Sequence, residues 1–196
     1  MYPLLFETIK IESGQVKNIK WHNQRFNKAR FELFGEKEQL DLQTYITPPS
    51  RGVHRCRIVY DKNIQSINYF PYATKLFKTF TVVNSNLNYA YKYNDRSDLE
   101  ELLKSPLSKK IYDEIIIEKN GLLTDTSIAN IAFYNGKYWF TPKVPLLEGT
   151  TRARLLEEGF LKLKNIKKEN IKNYSHFALM NAMIGFQIQK SVSIRL

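Results

Sequence analysis

Residues Asp113–Ile117, DEIII, and Gly121–Asn130, GLLTDTSIAN, decide the reading of this chain. Two apolar runs flank Lys119-Asn120-Gly121, and Asn-Gly is a strong hairpin signal because both residues tolerate the positive φ of a tight turn. The second run then changes character. Thr124, Asp125, Thr126 and Ser127 set a carboxylate and three hydroxyls at a strand end before the apolar pattern resumes as IANIAF. A buried carboxylate is costly unless a partner offsets it. Alone, Asp125 reads as a turn residue capping its own backbone; its strand context makes it worth following.

The same logic extends outward. IANIAFY–NG–KYWFTP is a second Asn-Gly hairpin, while LFETIKI–ESG–QVKNI and HRCRIVY–DKN–IQSINYF are two more, with period-2 patterning around turn residues. WHNQRFNKARFELFG predicts a helix with an apolar stripe of Phe26, Ala29, Leu33 and Phe34, stopped at Gly35. A short helix and a Pro-Pro loop are expected over residues 36–51. FTVVNSNLNYAYKYN reads as an extended passage between two lobes. Ser97 and Glu100 form a capping box before DLEELLKS, TTRARLLEEG is a helix ending at Gly159, and FALMNAMIGFQIQKSVSIRL is a final extended stretch. The sum is an α+β chain of two lobes: a small N-terminal one, residues 1–85, and a larger one, residues 86–196, with the boundary near residues 83–90.

Composition narrows the class. The single cysteine, Cys56, excludes an internal disulfide and a Cys-rich metal site, and no metal is expected. No apolar run approaches the length of a membrane span, and the N-terminus lacks the basic start and long apolar region of a secretion signal. A cytoplasmic protein without membrane contact is the expectation. The net charge of +11 raises the question of nucleic acid. The excess is spread over both halves, with one local run at KLKNIKKENIK, so a solvated basic surface is expected rather than a nucleic-acid site.

Three further pieces bear on chemistry. In PLLEGTTRARLL, Thr150 and Thr151 open a helix just after Gly149, and a helix start offers unpaired N–H groups and a positive dipole end to a phosphate. Arg25 lies early in the first helix. Lys92 lies in YAYKYND, where strand geometry would put Ala90, Lys92 and Asn94 on one face. Each alone has an ordinary reading: a threonine cap, a solvated arginine, a surface lysine.

In order, these pieces resemble the pyridoxal-phosphate enzymes of fold type IV, the class IV aminotransferase family of branched-chain aminotransferases, D-amino acid aminotransferases and aminodeoxychorismate lyases. LLFETIKIESG resembles the family's F-E-T-I strand and HNQRFNKARFELFG its H-x-x-R-L-x-x-S-A helix. YKYNDR resembles the K-x-x-x-R segment of the lyases. DEIIIEKNGLLTDTSIANIAF resembles D-x-x-L-L-x-x-x-G-x-V-T-E-x-x-x-x-N-I-F, TPKVPLLEGTTRARLL resembles T-P-x-x-x-x-L-x-G-I-T-R, and LMNAMIGFQ resembles N-S-L-R-G-I. The resemblance covers most of the chain.

It implies pyridoxal 5'-phosphate as cofactor, carried covalently on Lys92, which also serves as general base. Arg25 matches the arginine that grips the cofactor phosphate. Thr150 and Thr151 match the phosphate-binding helix start, and Asn181 with Ala182 the second backbone contact to the phosphate. Asp125 matches a family glutamate that pairs with the pyridine nitrogen. The hydroxyls of Thr124, Thr126 and Ser127 are expected to orient it or to bond nearby cofactor oxygens. Asp125 is one methylene shorter than glutamate, so the ring must sit deeper or a water must bridge. The N-terminus is compact, as in the lyase-like domain fused to some aminobenzoate synthases.

Arg96, four residues after Lys92, favours the lyase, whose products are 4-aminobenzoate and pyruvate in folate biosynthesis. Arg57 and Arg96 are the expected contacts to the substrate carboxylates, with Arg55 and Arg152 as further nearby cations. The alternatives are a transaminase of branched-chain or D-amino acids and a basic, non-catalytic binding protein. The resemblance also implies a small-molecule amino substrate and a homodimer.

Overall fold

The computed structural model describes residues 2–104 and 112–196. The chain divides into two compact units, residues 1–74 with 91–95, and residues 75–90 with 96–196. The sequence places one boundary near residue 85; instead the chain leaves the first unit at residue 74 and returns to it for the five residues around Lys92.

The first unit is an antiparallel sheet in the order β2-β1-β3-β4, with β1 at Leu5–Glu12, β2 at Gln15–Val16, β3 at Val53–Tyr60 and β4 at Ile64–Pro71. The tight turn between β1 and β2 has Ser13 and Gly14 both at positive φ, the geometry that matches strand twist in a two-residue loop. Helix α1, Ile19–Phe34, packs Phe26, Ala29 and Phe34 against Leu5, Ile9, Ile11, Ile58 and Tyr60. Gly35, at φ +75°, ends it, donating its N–H to Phe31 O. In place of the short helix expected after it there is a single 3-10 turn at Leu42–Thr44.

Residues 91–95 do not form the strand expected around Lys92. They meet β1 through one bridge, Leu5 with Tyr93, flanked by Phe6 N to Lys92 O at 2.9 Å and Asn94 N to Leu4 O at 2.8 Å. The segment around Lys92 is thus tied by its backbone to the start of β1, with no ladder of its own.

The second unit is a mixed sheet in the order β10-β9-β8-β7-β6-β5-β13, with β11 and β12 joined through β8. Its strands are β5 Thr79–Asn84, β6 Glu114–Lys119, β7 Leu122–Thr126, β8 Asn130–Tyr134, β9 Trp139–Pro142, β10 Leu161–Lys164, β11 His176–Asn181, β12 Gly185–Gln189 and β13 Ser193–Arg195. Among the described residues it carries two α-helices, α2 at Ser97–Lys104 and α3 at Thr150–Glu157, and a 3-10 helix at Lys168–Asn173. The β6–β7 hairpin turns on Asn120 and Gly121, at φ +53° and +74°, as the Asn-Gly pair predicts. Pairing is parallel for β5–β6, β5–β13 and β9–β10.

Alternation on β8 and β11 supplies two cores. Ile131, Phe133, Phe177 and Leu179 face one way, with Phe80, Ile116 and Leu123. Ala132, Ala178 and Met180 face the other way, where Leu155 of α3 covers them. Gly149, just before α3, lies against Asn130 at the start of β8.

Candidate cofactor site

Glu7 occupies the buried row of β1 between Leu5 and Ile9, and is itself fully buried. A carboxylate among aliphatic side chains requires partners, and α1 supplies them. His22 Nδ1 lies 2.6 Å from Glu7 Oε2, and Arg25 holds the same carboxylate with Nε at 2.8 Å and Nη2 at 2.6 Å. Burial alone would push the Glu7 carboxyl up, but the Arg25 guanidinium and His22 outweigh it and hold it at about 2. Burial pushes the His22 imidazole down. Glu7 is therefore an ionised acceptor and the neutral His22 donates to it from Nδ1. The fork of Arg25, expected on a phosphate, is fixed by Glu7 along one edge.

The opposite face of the sheet carries Phe6. Arg57 stacks on its ring at 3.8 Å and Lys92 Nζ lies 4.6 Å from the same centroid. Arg57 Nη2 also donates to Asn94 Oδ1 at 2.9 Å. The segment Tyr91–Asp95, which follows β5, thus returns to the first unit so that Lys92 and Arg57 share one aromatic partner.

In the second unit, Asp125 is buried at the end of β7. Its carboxylate accepts from Asn130 Nδ2 at 2.7 Å and from Leu147 N at 2.8 Å. Burial pushes its carboxyl up to about 6, against the lowering effect of these bonds and of Arg152. The neighbouring hydroxyls do not orient it, contrary to the sequence expectation. Thr124 Oγ1 donates to Ile117 O, Thr126 Oγ1 donates to Ala129 O, and Ser127 Oγ donates to the buried Glu114. They secure the turn; Asn130 and a main-chain N–H hold Asp125.

Helix α3 begins after Gly149 with no side-chain cap, and Thr150 and Thr151 are both buried. Among the described residues, nothing hydrogen-bonds the buried Thr151 Oγ1. Such a group is rare because leaving it unpaired costs roughly 1–3 kcal/mol. An anion seated at this helix start would satisfy it, so the donor set fits a phosphate. A buried carboxyl raised to about 6 likewise fits a cationic partner such as a protonated ring nitrogen. These two observations make the second unit compatible with pyridoxal phosphate.

Other expected residues have their own partners. Arg96 Nη2 donates to Ser127 O at 2.9 Å. Asn181 Oδ1 accepts from Met183 N and Ile184 N, shaping the turn that contains Ala182. Arg152 is buried with Nη2 on Pro142 O, which makes it a fold residue rather than a substrate contact. Arg55 stacks on Phe70. The sequence motifs contain Glu7, His22 and Asn130 without marking a role for any of them. The signal for Glu7 was present: a charged residue in the alternating row Leu5, Glu7, Ile9, Ile11.

No group of three or more His, Cys, Asp or Glu arranged to hold a metal occurs among the described residues, nor does a helix long and apolar enough to cross a membrane.

This fold and these two clusters define a two-unit α+β enzyme scaffold with an anion-ready helix start. The amino-transferase class IV family model matches residues 102–192. A Haemophilus influenzae protein, described only as uncharacterized, is 39% identical over 191 residues, covering 94% of this chain and all of that protein. A crystal structure from Haemophilus somnus 129PT, named "putative 4-amino-4-deoxychorismate lyase", is also 39% identical, with a TM-score of 0.84 over 94% of this chain and 98% of that one. A Schizosaccharomyces pombe protein named "Putative aminodeoxychorismate lyase" is 29% identical over 126 residues, 61% of this chain and 54% of that protein. The chain belongs to the class IV aminotransferase family, the pyridoxal-phosphate-dependent enzymes of fold type IV.

Proposed function

We propose that the chain is an aminodeoxychorismate lyase, forming 4-aminobenzoate and pyruvate. The observation that carries this reading is the Arg57–Phe6–Lys92 stack. It sets a guanidinium, suited to bidentate carboxylate recognition, on the same ring as the lysine that matches the family's cofactor-bearing residue. The substrate of a lyase of this kind has two carboxylates. Arg57 and Arg96 are the residues we assign to them, Arg96 with one nitrogen already committed to Ser127.

When bound, pyridoxal phosphate supplies an electron sink for the carbon that bears the substrate nitrogen. Lys92 would hold the cofactor, and its amine, when free, would take the proton from that carbon. Asp125 would hold a proton on the ring nitrogen by charge pairing, which would offset the burial that raises its carboxyl. Thr151, Thr150 and the first N–H groups of α3 receive the phosphate, assisted by Arg25 and by the backbone at Asn181 and Ala182. Glu7 and His22 restrict the rotamers of Arg25, which lowers the entropy lost on phosphate contact.

The enzyme acts as a homodimer on a small amino substrate in the cytoplasm, in the synthesis of folate. The test is incubation of the purified protein with aminodeoxychorismate generated in situ, with 4-aminobenzoate measured. Stoichiometric 4-aminobenzoate and pyruvate support the lyase. Keto acid formed from branched-chain or D-amino acids, with no 4-aminobenzoate, assigns the site to a transaminase instead.

A further inference from the structure

Asn130 lies at the single paired position between β7 and β8, opposite Asp125, and is itself buried. Its Nδ2 donates to Asp125 Oδ1 at 2.7 Å and to Leu147 O at 2.8 Å, while Leu147 N donates to Asp125 Oδ2 at 2.8 Å. These three bonds close a ring joining the Asp125 carboxylate to the loop that leads into α3. The other side of the amide faces Gly149, two residues before Thr151. A Cβ added at Gly149 would overlap Asn130 Oδ1, and the three atoms nearest to it all belong to Asn130. The loop can lie this close to Asn130 only because residue 149 has no side chain.

We infer that Asn130 is a positioning residue: it clasps the Asp125 carboxylate to the α3 loop and so fixes the spacing between the ring-nitrogen partner and the phosphate cradle of the second unit. This rests on the roles proposed above for Asp125 and Thr151. Among the described residues the buried Thr151 Oγ1 has no hydrogen-bond partner, an observation independent of Asn130 that fits a bound group at the cradle. An aspartate reaches less far than a glutamate, so its useful position depends on whatever holds it, and here Asn130 and Leu147 do.

The experiment uses full-length protein with Asn130→Ala, Gly149→Ala and the double variant. For each, Tm is recorded, together with affinities for pyridoxal phosphate and for inorganic phosphate, the latter probing the cradle alone. Asn130→Ala should weaken pyridoxal phosphate about tenfold, the loss of one charge-assisted hydrogen bond, with inorganic phosphate changed less than about threefold. Gly149→Ala should lower Tm and cut pyridoxal-phosphate affinity more severely. The double variant should return to the level of Asn130→Ala, because the colliding atoms are gone. The inference is overturned if the double variant carries both losses, if Asn130→Ala binds pyridoxal phosphate like wild type, or if it loses both ligands equally, which marks a merely structural role. Failure of the wild type itself to bind pyridoxal phosphate overturns the cofactor roles on which the inference stands, and that result is distinct from the other three.

Discussion

Glu7 illustrates how a single residue couples stability to the site. Its carboxyl sits at about 2, against an ordinary 4.5, because Arg25 and His22 outweigh burial. A depressed carboxyl stabilises the fold above the unfolded value, and that contribution is lost as pH falls from about 4.5 through about 2. The shift corresponds to something on the order of 3 kcal/mol. Glu7→Gln should therefore flatten the fall in urea stability between about pH 4.5 and pH 2, and an unchanged slope would show that Glu7 is not the group responsible. Asp125 has the opposite sign: burial raises it to about 6, so in the cofactor-free protein it costs stability as pH rises from about 4 to about 6. Asp125→Asn should remove that loss in the apoprotein and still bind cofactor, while turnover falls by orders of magnitude because the ring nitrogen has lost its anionic partner. Wild-type turnover in this variant would reduce Asp125 to the turn residue it also resembles. The setting of Asp125, a carboxylate at the end of an apolar strand, was legible in the sequence. Its true partners were not, because Asn130 and Leu147 N meet it through loop geometry, whereas the adjacent hydroxyls, nearer in sequence, turn to backbone carbonyls and Glu114.

At the scale of elements, the turns carry much of the specification. Asn120 and Gly121 both lie in the left-handed region, where a Cβ costs roughly 1–2 kcal/mol and asparagine is better tolerated than alanine. Gly121→Ala should destabilise the protein by about 1 kcal/mol in urea unfolding, whereas Asn120→Gly should be nearly neutral; a neutral Gly121→Ala would contradict the turn. Such hairpins are legible because both strands and their turn are adjacent in sequence. Helix α1 is legible through Phe26, Ala29 and Phe34, with Gly35 as its stop. The parallel partners of β5 and β9 are not, since nothing local in Ser193–Arg195 or Leu161–Lys164 names a distant neighbour. β10 was hidden inside a lysine-rich run that reads as surface. The strand expected at Lys92 failed for a related reason: alternation in YAYKYN mimics a ladder, but the segment makes one bridge only.

At the scale of the molecule, the α+β class and the family were readable from the ordered motifs. The division into units was less so, because Tyr91–Asp95 returns to the first sheet after sixteen residues in the second unit. That return puts Lys92 on Phe6 beside Arg57, a juxtaposition no sequence spacing announces. We expect a homodimer, and light scattering should give twice 23.1 kDa; a monomer that retains cofactor would contradict this. The central claim is that Lys92 bears the cofactor. Its most direct test is to load the protein with pyridoxal phosphate, reduce it with borohydride and map the modified peptide by mass spectrometry. The account predicts one reduced adduct, on Lys92. An adduct on another lysine, or none after loading, would contradict it.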